Sequence, residues 1–249
     1  MILSIPDFKT FEQIEPPIFK ILYAYFLYVD CDAEQTHHEW SEHYVKKKQQ
    51  ASKAHSPVEI MILINNIIAN QNQNKLDGKI CEFGCYTGIS SAKLSLIAAL
   101  FNLEFFVFDS FEGLPDIEKY GSESQHAVYN SGEYCATIET VSNNIKKYGS
   151  IRNTHLIKGW FSDTLKKHND VDKISYAFID VDLCKSLEEC LEYVLPRLQR
   201  GSILFSHEAQ DPDYLPIFEK YGLLNSENFK SFGVGTGINN TQICMFMKT

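Results

Sequence analysis

The segment from Lys79 to Asp116 constrains the fold of this chain more than any other part of the sequence. A short apolar run at residues 80–83 ends in a glycine turn at residues 84–88, and a stretch rich in Ala, Leu and Ser follows it. A second apolar run, residues 105–108, stops at Asp109. This order predicts a strand, a tight turn, a helix and a second strand, which is the repeating unit of a parallel sheet.

The turn between the first strand and the helix predicts a nucleoside site. Its glycines let the backbone approach a ligand closely, and the helix behind it presents free N–H groups. Asp109 can accept hydrogen bonds from the two hydroxyls of a ribose. The spacing of Glu82, Gly84 and Gly88 differs from the G-x-G-x-x-G fingerprint of dinucleotide sites.

An acidic residue before the turn distinguishes between two nucleosides. Glu82 would repel a pyrophosphate and attract an amino group, so S-adenosylmethionine suits the turn better than NAD. A purely structural turn that binds no ligand is the alternative, because glycine pairs of this kind are common.

Three further stretches, which follow one another in the chain, carry a resemblance. They are DSFEGLP at residues 109–115, a set from Gly132–Glu133–Tyr134 to KGWFSDTL at residues 158–165, and FIDVDLCKSLEECLEYVLPRL at residues 178–198. They resemble the macrocin O-methyltransferase family (TylF/MycF type) over roughly residues 55–210. Members of that family are class I S-adenosylmethionine-dependent methyltransferases.

The resemblance implies a fold and a set of cofactor-binding residues. The fold is α/β and Rossmann-like, with a mostly parallel seven-stranded sheet flanked by helices, a C-terminal antiparallel hairpin and an N-terminal helical extension. The domain boundaries expected are 1–55 for the extension and 56–249 for the methyltransferase domain. The residues expected to bind S-adenosylmethionine are Glu82, Gly84, Tyr86, Thr87, Gly88, Asp109, Ser110, Gly159, Trp160, Phe161 and Asp180.

The polar connection at residues 116–131 is long for a compact domain, and such connections are usually functional or mobile. In a methyltransferase it would lie over the cofactor and the methyl acceptor. The candidate acceptor-binding residues are His126, Tyr129, Glu133 and Tyr134. For His126, an exposed loop histidine is the alternative interpretation.

The end of the fifth strand departs from the family pattern. The family carries two adjacent aspartates there, which bind magnesium together with the first Asp of the IDxD block. This sequence keeps Asp180 but has Ser206 and His207 in those places, with Glu208 one step on. In one hypothesis, Asp180, His207 and Glu208 bind a divalent ion, magnesium or manganese, with softer selectivity that also admits iron.

In a second hypothesis the metal is lost, and His207 is the general base beside Asp180, the other candidate catalytic residue. A third possibility is that His207 only forms a hydrogen bond to the neighbouring loop. The sequence leaves these three alternatives open.

Composition restricts the partners. The 249 residues suffice for one α/β domain, and the formal charge of −9, with no basic cluster beyond the short run Lys46–Lys48, argues against nucleic acid. The seven scattered cysteines and the absence of a secretory signal favour the cytoplasm. The apolar run at residues 18–29 is too short to span a membrane, and it predicts a helix buried on most faces, against the domain or in a homodimer.

One polar pair in the N-terminal region is ambiguous. His38 and Glu42 would share a helix face and form either a metal or substrate patch or an ordinary solvated surface.

The expected reaction is transfer of a methyl group from the sulfonium of S-adenosylmethionine to a hydroxyl of a small molecule. By resemblance, that hydroxyl belongs to a sugar of a secondary metabolite or of a surface polysaccharide. Two other functions stay open: a catalytically silent cofactor-binding subunit, and a nicotinamide-dependent reductase on a similar sheet.

Overall fold

The computed structural model describes the backbone of residues 17–41 and 55–249, and the side chains of residues 20–33 and 55–249. The predicted pair of His38 and Glu42 lies outside the described side chains.

Within this part of the chain, seven strands form one sheet in the order β3-β2-β1-β4-β5-β7-β6. The strands are β1 Lys79–Phe83, β2 Phe105–Asp109, β3 Thr154–Lys158, β4 Ile174–Ile179, β5 Leu198–Ser206, β6 Phe229–Phe232 and β7 Cys244–Lys248. The first five strands pair in parallel, and β7 pairs antiparallel with both β5 and β6. This arrangement confirms the predicted mostly parallel sheet with an antiparallel C-terminal end.

Helices cover both faces of the sheet. They are α1 Pro17–Ser41, α2 Pro57–Asn74, α3 Ile89–Phe101, α4 Ile117–Tyr120, α5 Glu123–His126, α6 Ile138–Tyr148, α7 Phe161–Thr164, α8 Cys184–Val194 and α9 Leu215–Lys220. In β1, Ile80 packs into the core beneath α1, α2, α3 and α6, whereas Cys81 packs into the core beneath α8 and α9. Because both faces are buried, these strands are continuously apolar in sequence.

The start of α2 is a capping box, as the motif Ser56-Pro57-Val58-Glu59 indicates. The Glu59 N–H donates to Ser56 Oγ at 3.3 Å, and the Ser56 N–H donates to Glu59 Oε2 at 2.8 Å. These bonds satisfy N–H groups that have no partner within the helix. They also fix the position of His55, the residue immediately before the cap.

Two polar segments of the sequence contain helix. The polar segment 70–78 continues α2 as far as Asn74, because Asn70 Nδ2 donates to the Gly201 carbonyl at 2.6 Å. The connection at 116–131 contains α4 and α5. Gln125 of α5 anchors it, since its Nε2 donates to the Asp182 carbonyl at 2.9 Å. Tertiary contacts outweigh local sequence preference at both places.

The first helix is longer than predicted and is buried on one side only. Phe26 and Val29 belong to the main core, while Ile21 and Tyr28 are exposed, so the domain itself buries one side of the helix and burial of the other side in a homodimer stays a prediction. A buried ion pair between Asp30 and Lys93 fastens α1 to α3. None of the helices in the described part of the chain combines the length and apolarity needed to cross a membrane.

Candidate functional site

A cavity of about 220 Å³ opens at the carboxyl ends of the five parallel strands. The segments that line it follow β1 (84–86), β2 (109–115), β3 (159–161), β4 (180–182) and β5 (207–208). Ligands of open parallel sheets bind at this edge, where the strand order reverses between β1 and β4. The fold therefore gathers most of the predicted site segments around one cavity.

The turn after β1 depends on Gly84. Its φ is +80°, and a Cβ atom there would lie 1.9 Å from the carbonyl oxygen of Asp180. The Gly84 N–H donates to the Phe108 carbonyl at 3.0 Å. The absence of a side chain thus lets the turn pack directly against the end of β4.

Asp109 ends β2 and forms the floor of one half of the cavity. Its Oδ2 accepts from the Cys85 N–H at 2.7 Å, and its Oδ1 accepts from the Phe111 N–H at 2.7 Å. Burial raises the pKa of Asp109 above its ordinary value. A carboxylate has about four lone-pair sites, so both oxygens keep capacity for a ligand hydroxyl.

Glu82 lies in β1 behind the turn and is fully buried. Its Oε2 accepts from Ser91 Oγ, and its Oε1 has no hydrogen-bond partner among the described residues. Burial raises the pKa of Glu82 to about 8, and the nearby carboxylates of Asp180 and Asp109 add to this effect. The carboxyl group is therefore largely neutral near pH 7 unless a cation approaches it.

Three carboxylates converge in the other half of the cavity. The ligand oxygens of Asp180, Asp182 and Glu208 lie within 4.8 Å of one another. Asp182 and Glu208 each have a φ of +59°, which is rare for residues other than glycine and is often found at functional sites. The backbone is thus held in an uncommon conformation at both strand ends.

His207 is enclosed by acidic groups. Its Nδ1 lies 3.2 Å from Asp180 Oδ1 and 2.8 Å from Glu208 Oε1, and its Nε2 lies 3.7 Å from Glu59 Oε1. Burial opposes the charge, but these carboxylates outweigh it and hold the pKa of His207 well above the usual range. Both nitrogens of a protonated ring are donors, so this geometry argues against His207 as a general base.

A second imidazole, His55, approaches the same carboxylate. His55 Nε2 lies 2.9 Å from Asp180 Oδ2, and the two imidazole rings are nearly perpendicular, with centroids 4.9 Å apart. Burial opposes the ionisation of Asp180, but His207 and His55 hold its pKa well below the ordinary value. Asp180 is therefore the ionised centre of a cluster of carboxylates and imidazoles.

The cluster suits a divalent cation. Burial, together with the charges of Asp180 and Glu208, raises the pKa of Asp182 well above the ordinary value, so the site carries more negative charge than it can stabilise. The buried Tyr214 hydroxyl has no hydrogen-bond partner in the described structure, and the same three carboxylates act on it. Hard divalent ions bind carboxylate oxygens of this kind.

The family model of the macrocin O-methyltransferases (TylF) matches residues 28–210, which include every strand end that lines the cavity. The chain belongs to the macrocin O-methyltransferase family. One relative is the 8-demethyl-8-(2,3-dimethoxy-alpha-L-rhamnosyl)-tetracenomycin-C 4'-O-methyltransferase of Streptomyces olivaceus. It is 29% identical over 138 residues, which are 51% of this chain and 51% of the relative. The chain thus spans about half the length of that curated relative.

Solved structures support the fold of this family member. The O-methyltransferase NovP superposes with a TM-score of 0.64 at 18% identity, over 77% of this chain and 78% of that chain. The calicheamicin methyltransferase CalS11 superposes with a TM-score of 0.55 at 15% identity, over 77% of each chain. These likenesses confirm the predicted class I methyltransferase fold.

Most of the predicted cofactor-binding residues line the cavity of this macrocin O-methyltransferase family member. They are Gly84, Tyr86, Asp109, Ser110, Gly159, Trp160, Phe161 and Asp180. Three predicted residues do not line the cavity: Glu82, before the turn, and Thr87 and Gly88, at its end. Gly88 is the N-cap of α3, and the Thr87 carbonyl accepts from Asn144 Nδ2.

The four predicted acceptor-binding residues separate into two pairs. Tyr129 and Tyr134 line the cavity, with their rings in edge contact, and Tyr134 also contacts Tyr86 at 5.7 Å between centroids. His126 is exposed on α5, and Glu133 accepts hydrogen bonds from Asn130, so neither lines the cavity. The three tyrosines form an aromatic wall between the two halves of the cavity.

The sequence prediction missed two members of the cluster. Asp182 stands in the D-x-D of the third motif, and this spacing could have identified it. His55 carries no comparable signal, because it precedes a helix cap and lies far from the other members in sequence. Ser206, which stands where the family has an aspartate, is buried, and its Oγ donates to the His207 carbonyl at 2.9 Å.

Proposed function

We propose that this chain transfers the methyl group of S-adenosylmethionine to a hydroxyl of a small molecule, namely a sugar hydroxyl. One observation carries the proposal: a single cavity joins a nucleoside-type half, built on the glycine turn and Asp109, to the carboxylate cluster around Asp180. A methyltransferase needs these two halves side by side, because the sulfonium and the acceptor oxygen must meet in line.

The cofactor half uses backbone and carboxylate groups. Asp109 would accept hydrogen bonds from the ribose hydroxyls, while Trp160 and Phe161, which line the cavity after β3, would pack against the adenine. The methionine end would lie at Gly84. The buried Glu82 behind it would favour the ammonium group by charge, and the approach of that cation would lower the pKa of its carboxyl group.

Asp180 lies where the two halves meet. Its carbonyl packs against Gly84, and its carboxylate belongs to the cluster. The acceptor oxygen would form a bond to the methyl carbon as the carbon–sulfur bond breaks, and S-adenosylhomocysteine would leave with the bonding electrons. The hydroxyl proton would pass to a carboxylate of the cluster, for which Asp182 is suited because its pKa is raised. Because the sulfonium is a good leaving group, the protein contributes mainly positioning.

The oxygen donors Asp180, Asp182 and Glu208 would hold a divalent ion, magnesium or manganese. When bound, such an ion orients two acceptor oxygens and lowers the pKa of the reacting hydroxyl.

The names of the relatives support a sugar as the acceptor. The Streptomyces olivaceus relative is named for methylation of a rhamnosyl group on tetracenomycin. The aromatic wall of Tyr86, Tyr129 and Tyr134 offers ring faces and edges on which the apolar side of a sugar could pack. A glycosylated secondary metabolite or a surface polysaccharide precursor is the substrate class that we propose.

The experiment is transfer of labelled methyl from S-adenosylmethionine to a panel of glycosides and nucleotide sugars, with and without a chelator. Cofactor binding is measured separately by calorimetry. Asp180→Asn should abolish transfer while keeping cofactor binding. The exposed Asp170→Asn is the matched control and should not change transfer.

A catalytically silent cofactor-binding subunit is the second candidate function. The observation that favours it is His207, which stands between carboxylates where the family has an aspartate. Cofactor binding without a labelled product across the panel and a cell extract would support this candidate. Tight binding of NADH in place of S-adenosylmethionine would support the reductase alternative. The cytoplasmic location and the possible homodimer stay predictions.

A further inference from the structure

We propose that His55, His207 and Asp180 form a transition-metal site, which binds a nitrogen-preferring ion in preference to magnesium. The inference rests on the proposed function, because it specifies the metal at the acceptor half of the same cavity. It differs from the all-carboxylate site implied by resemblance, since His55 and His207 supply two of the three donor atoms.

His55 is the observation that points to an ion. The residue is 7% exposed, and its Nε2 has no hydrogen-bond partner among the residues that the structure describes. This nitrogen lies 2.9 Å from Asp180 Oδ2, which is the distance of an ion pair. A buried imidazole nitrogen held against a carboxylate oxygen in this way has the arrangement of two donors to which one ion could bind.

The separations of the donor atoms fit one ion. Two donors that are each about 2.1 Å from a metal lie roughly 3.0 to 3.4 Å apart. The observed separations are 2.9 Å for His55 Nε2 to Asp180 Oδ2 and 3.2 Å for His207 Nδ1 to Asp180 Oδ1. The ligand atoms of all three residues lie within 4.8 Å of one another.

Glu59 contacts the imidazole of His207 from outside the triad. Its Oε1 lies 3.7 Å from His207 Nε2, so Nδ1 is the nitrogen that faces the ion. Its Oε2 accepts hydrogen bonds from the N–H and the hydroxyl of Ser56, the residue that follows His55 in the chain. A carboxylate behind a histidine ligand fixes the orientation of the ring and makes the bound nitrogen more basic.

The donor set decides the class of metal. Magnesium prefers oxygen ligands in octahedral geometry, whereas imidazole favours iron, cobalt, nickel, copper and zinc. Two histidines and one carboxylate on one side of an ion are a known arrangement for iron(II). The oxygen donors Asp182 and Glu208 lie beside this triad and belong to the group that shares Asp180.

The test measures metal binding by the full chain, stripped by a chelator and without acceptor. Calorimetry with Co²⁺, Mn²⁺ and Mg²⁺ should show cobalt bound at least about tenfold more tightly than magnesium. His55→Ala should weaken Co²⁺ binding by about tenfold or more and leave Mg²⁺ binding unchanged. The matched control is His155→Ala, because that exposed histidine lies on β3, outside the site, and pairs with Glu104.

Pulsed electron paramagnetic resonance of the Cu²⁺-loaded, unsubstituted protein keeps the proposal testable if His55→Ala does not fold. A nitrogen coupling from imidazole supports the triad, and its absence overturns it. Equal affinity for Mg²⁺ and Co²⁺, or no metal binding at all, also overturns it. S-adenosylmethionine binding is measured on the same sample. Cofactor binding without metal binding contradicts this inference alone, whereas loss of cofactor binding contradicts the proposed function.

Discussion

At the scale of the residue, Glu82 shows how burial changes the chemistry of a carboxyl group. Its pKa is raised from 4.5 to about 8, primarily by burial. The folded protein therefore holds a proton that the unfolded chain releases above about pH 4.5. The stability that this residue contributes is fully present below the unfolded pKa and is lost as pH rises to about 8.

Replacing Glu82 with glutamine removes this titration. We expect Glu82→Gln to make the cofactor-free protein less sensitive to pH. Relative to that of the unsubstituted protein, its free energy of unfolding should increase by on the order of 2 to 4 kcal/mol between about pH 5 and pH 9. Urea unfolding of both proteins at pH 5 and at pH 9 measures this change in the free energy of unfolding. The exposed Glu104→Gln serves as the control. Parallel pH profiles for Glu82→Gln and the parent would contradict the expected neutral state.

At the scale of the element, the first turn of α2 contributes to the site as well as to the helix. Glu59 completes the capping box, accepts from the Gln242 N–H at 3.0 Å and faces His207. The charge of Glu59 therefore acts on the cluster through His207. We regard it as a positioning residue, since it does not line the cavity.

Glu59→Gln should lower kcat severalfold while leaving the KM for S-adenosylmethionine unchanged, because only the acceptor half is disturbed. Ser56→Ala is the matched control: it removes the cap at a cost of about 1 kcal/mol but keeps the contact between Glu59 and His207. Steady-state kinetics and thermal unfolding of both variants separate the two effects. If Ser56→Ala lowers kcat as much as Glu59→Gln does, the role of Glu59 is only structural.

The turn after β1 can be tested with two glycines of the same conformation. Gly84 and Gly235 have φ values of +80° and +79°, but only a Cβ at Gly84 would collide with the Asp180 carbonyl. Gly235→Ala should cost about 1 kcal/mol, because it adds only backbone strain. Gly84→Ala should cost at least about 2 kcal/mol more and abolish cofactor binding. Equal effects of the two substitutions on unfolding and on calorimetric binding would disprove the close approach.

At the scale of the whole molecule, α1 is fastened to the domain by a buried ion pair. Lys93 and Asp30 are both nearly inaccessible to solvent, and the Lys93 ammonium also lies over the Phe26 ring. Lys93→Ala should cost about 3 to 5 kcal/mol, because it leaves a buried carboxylate without its cation. Asp30→Asn combined with Lys93→Met should recover much of that loss in urea unfolding. A double variant as unstable as Lys93→Ala would contradict this explanation.

The fold was largely predictable because its information is local. The run from Ile80 to Asp109 shows strand, turn and helix in succession, and each boundary has its own residue signal. The helix over Asn70–Asn74 was not predictable, because its support comes from Gly201, in another part of the chain.

The site was predictable only where its residues lie at strand ends. Asp109 and Asp180 both follow apolar strands, so the sequence places them at the ligand edge of the sheet. His55 is brought to Asp180 by the packing of α2 against the sheet, which no local pattern encodes. In the metal-free protein, the protonated state of His207 depends on three carboxylates from different parts of the chain.

The position of His55 bears on how this protein can be divided. The predicted boundary between residues 55 and 56 lies immediately before the capping box. A chain shortened to begin at Ser56 would keep the whole sheet and the glycine turn. It would also lose the imidazole that approaches Asp180. The predicted domain border therefore passes through the candidate site, and a domain trimmed there would lack one imidazole of the cluster as well as the core contacts of α1.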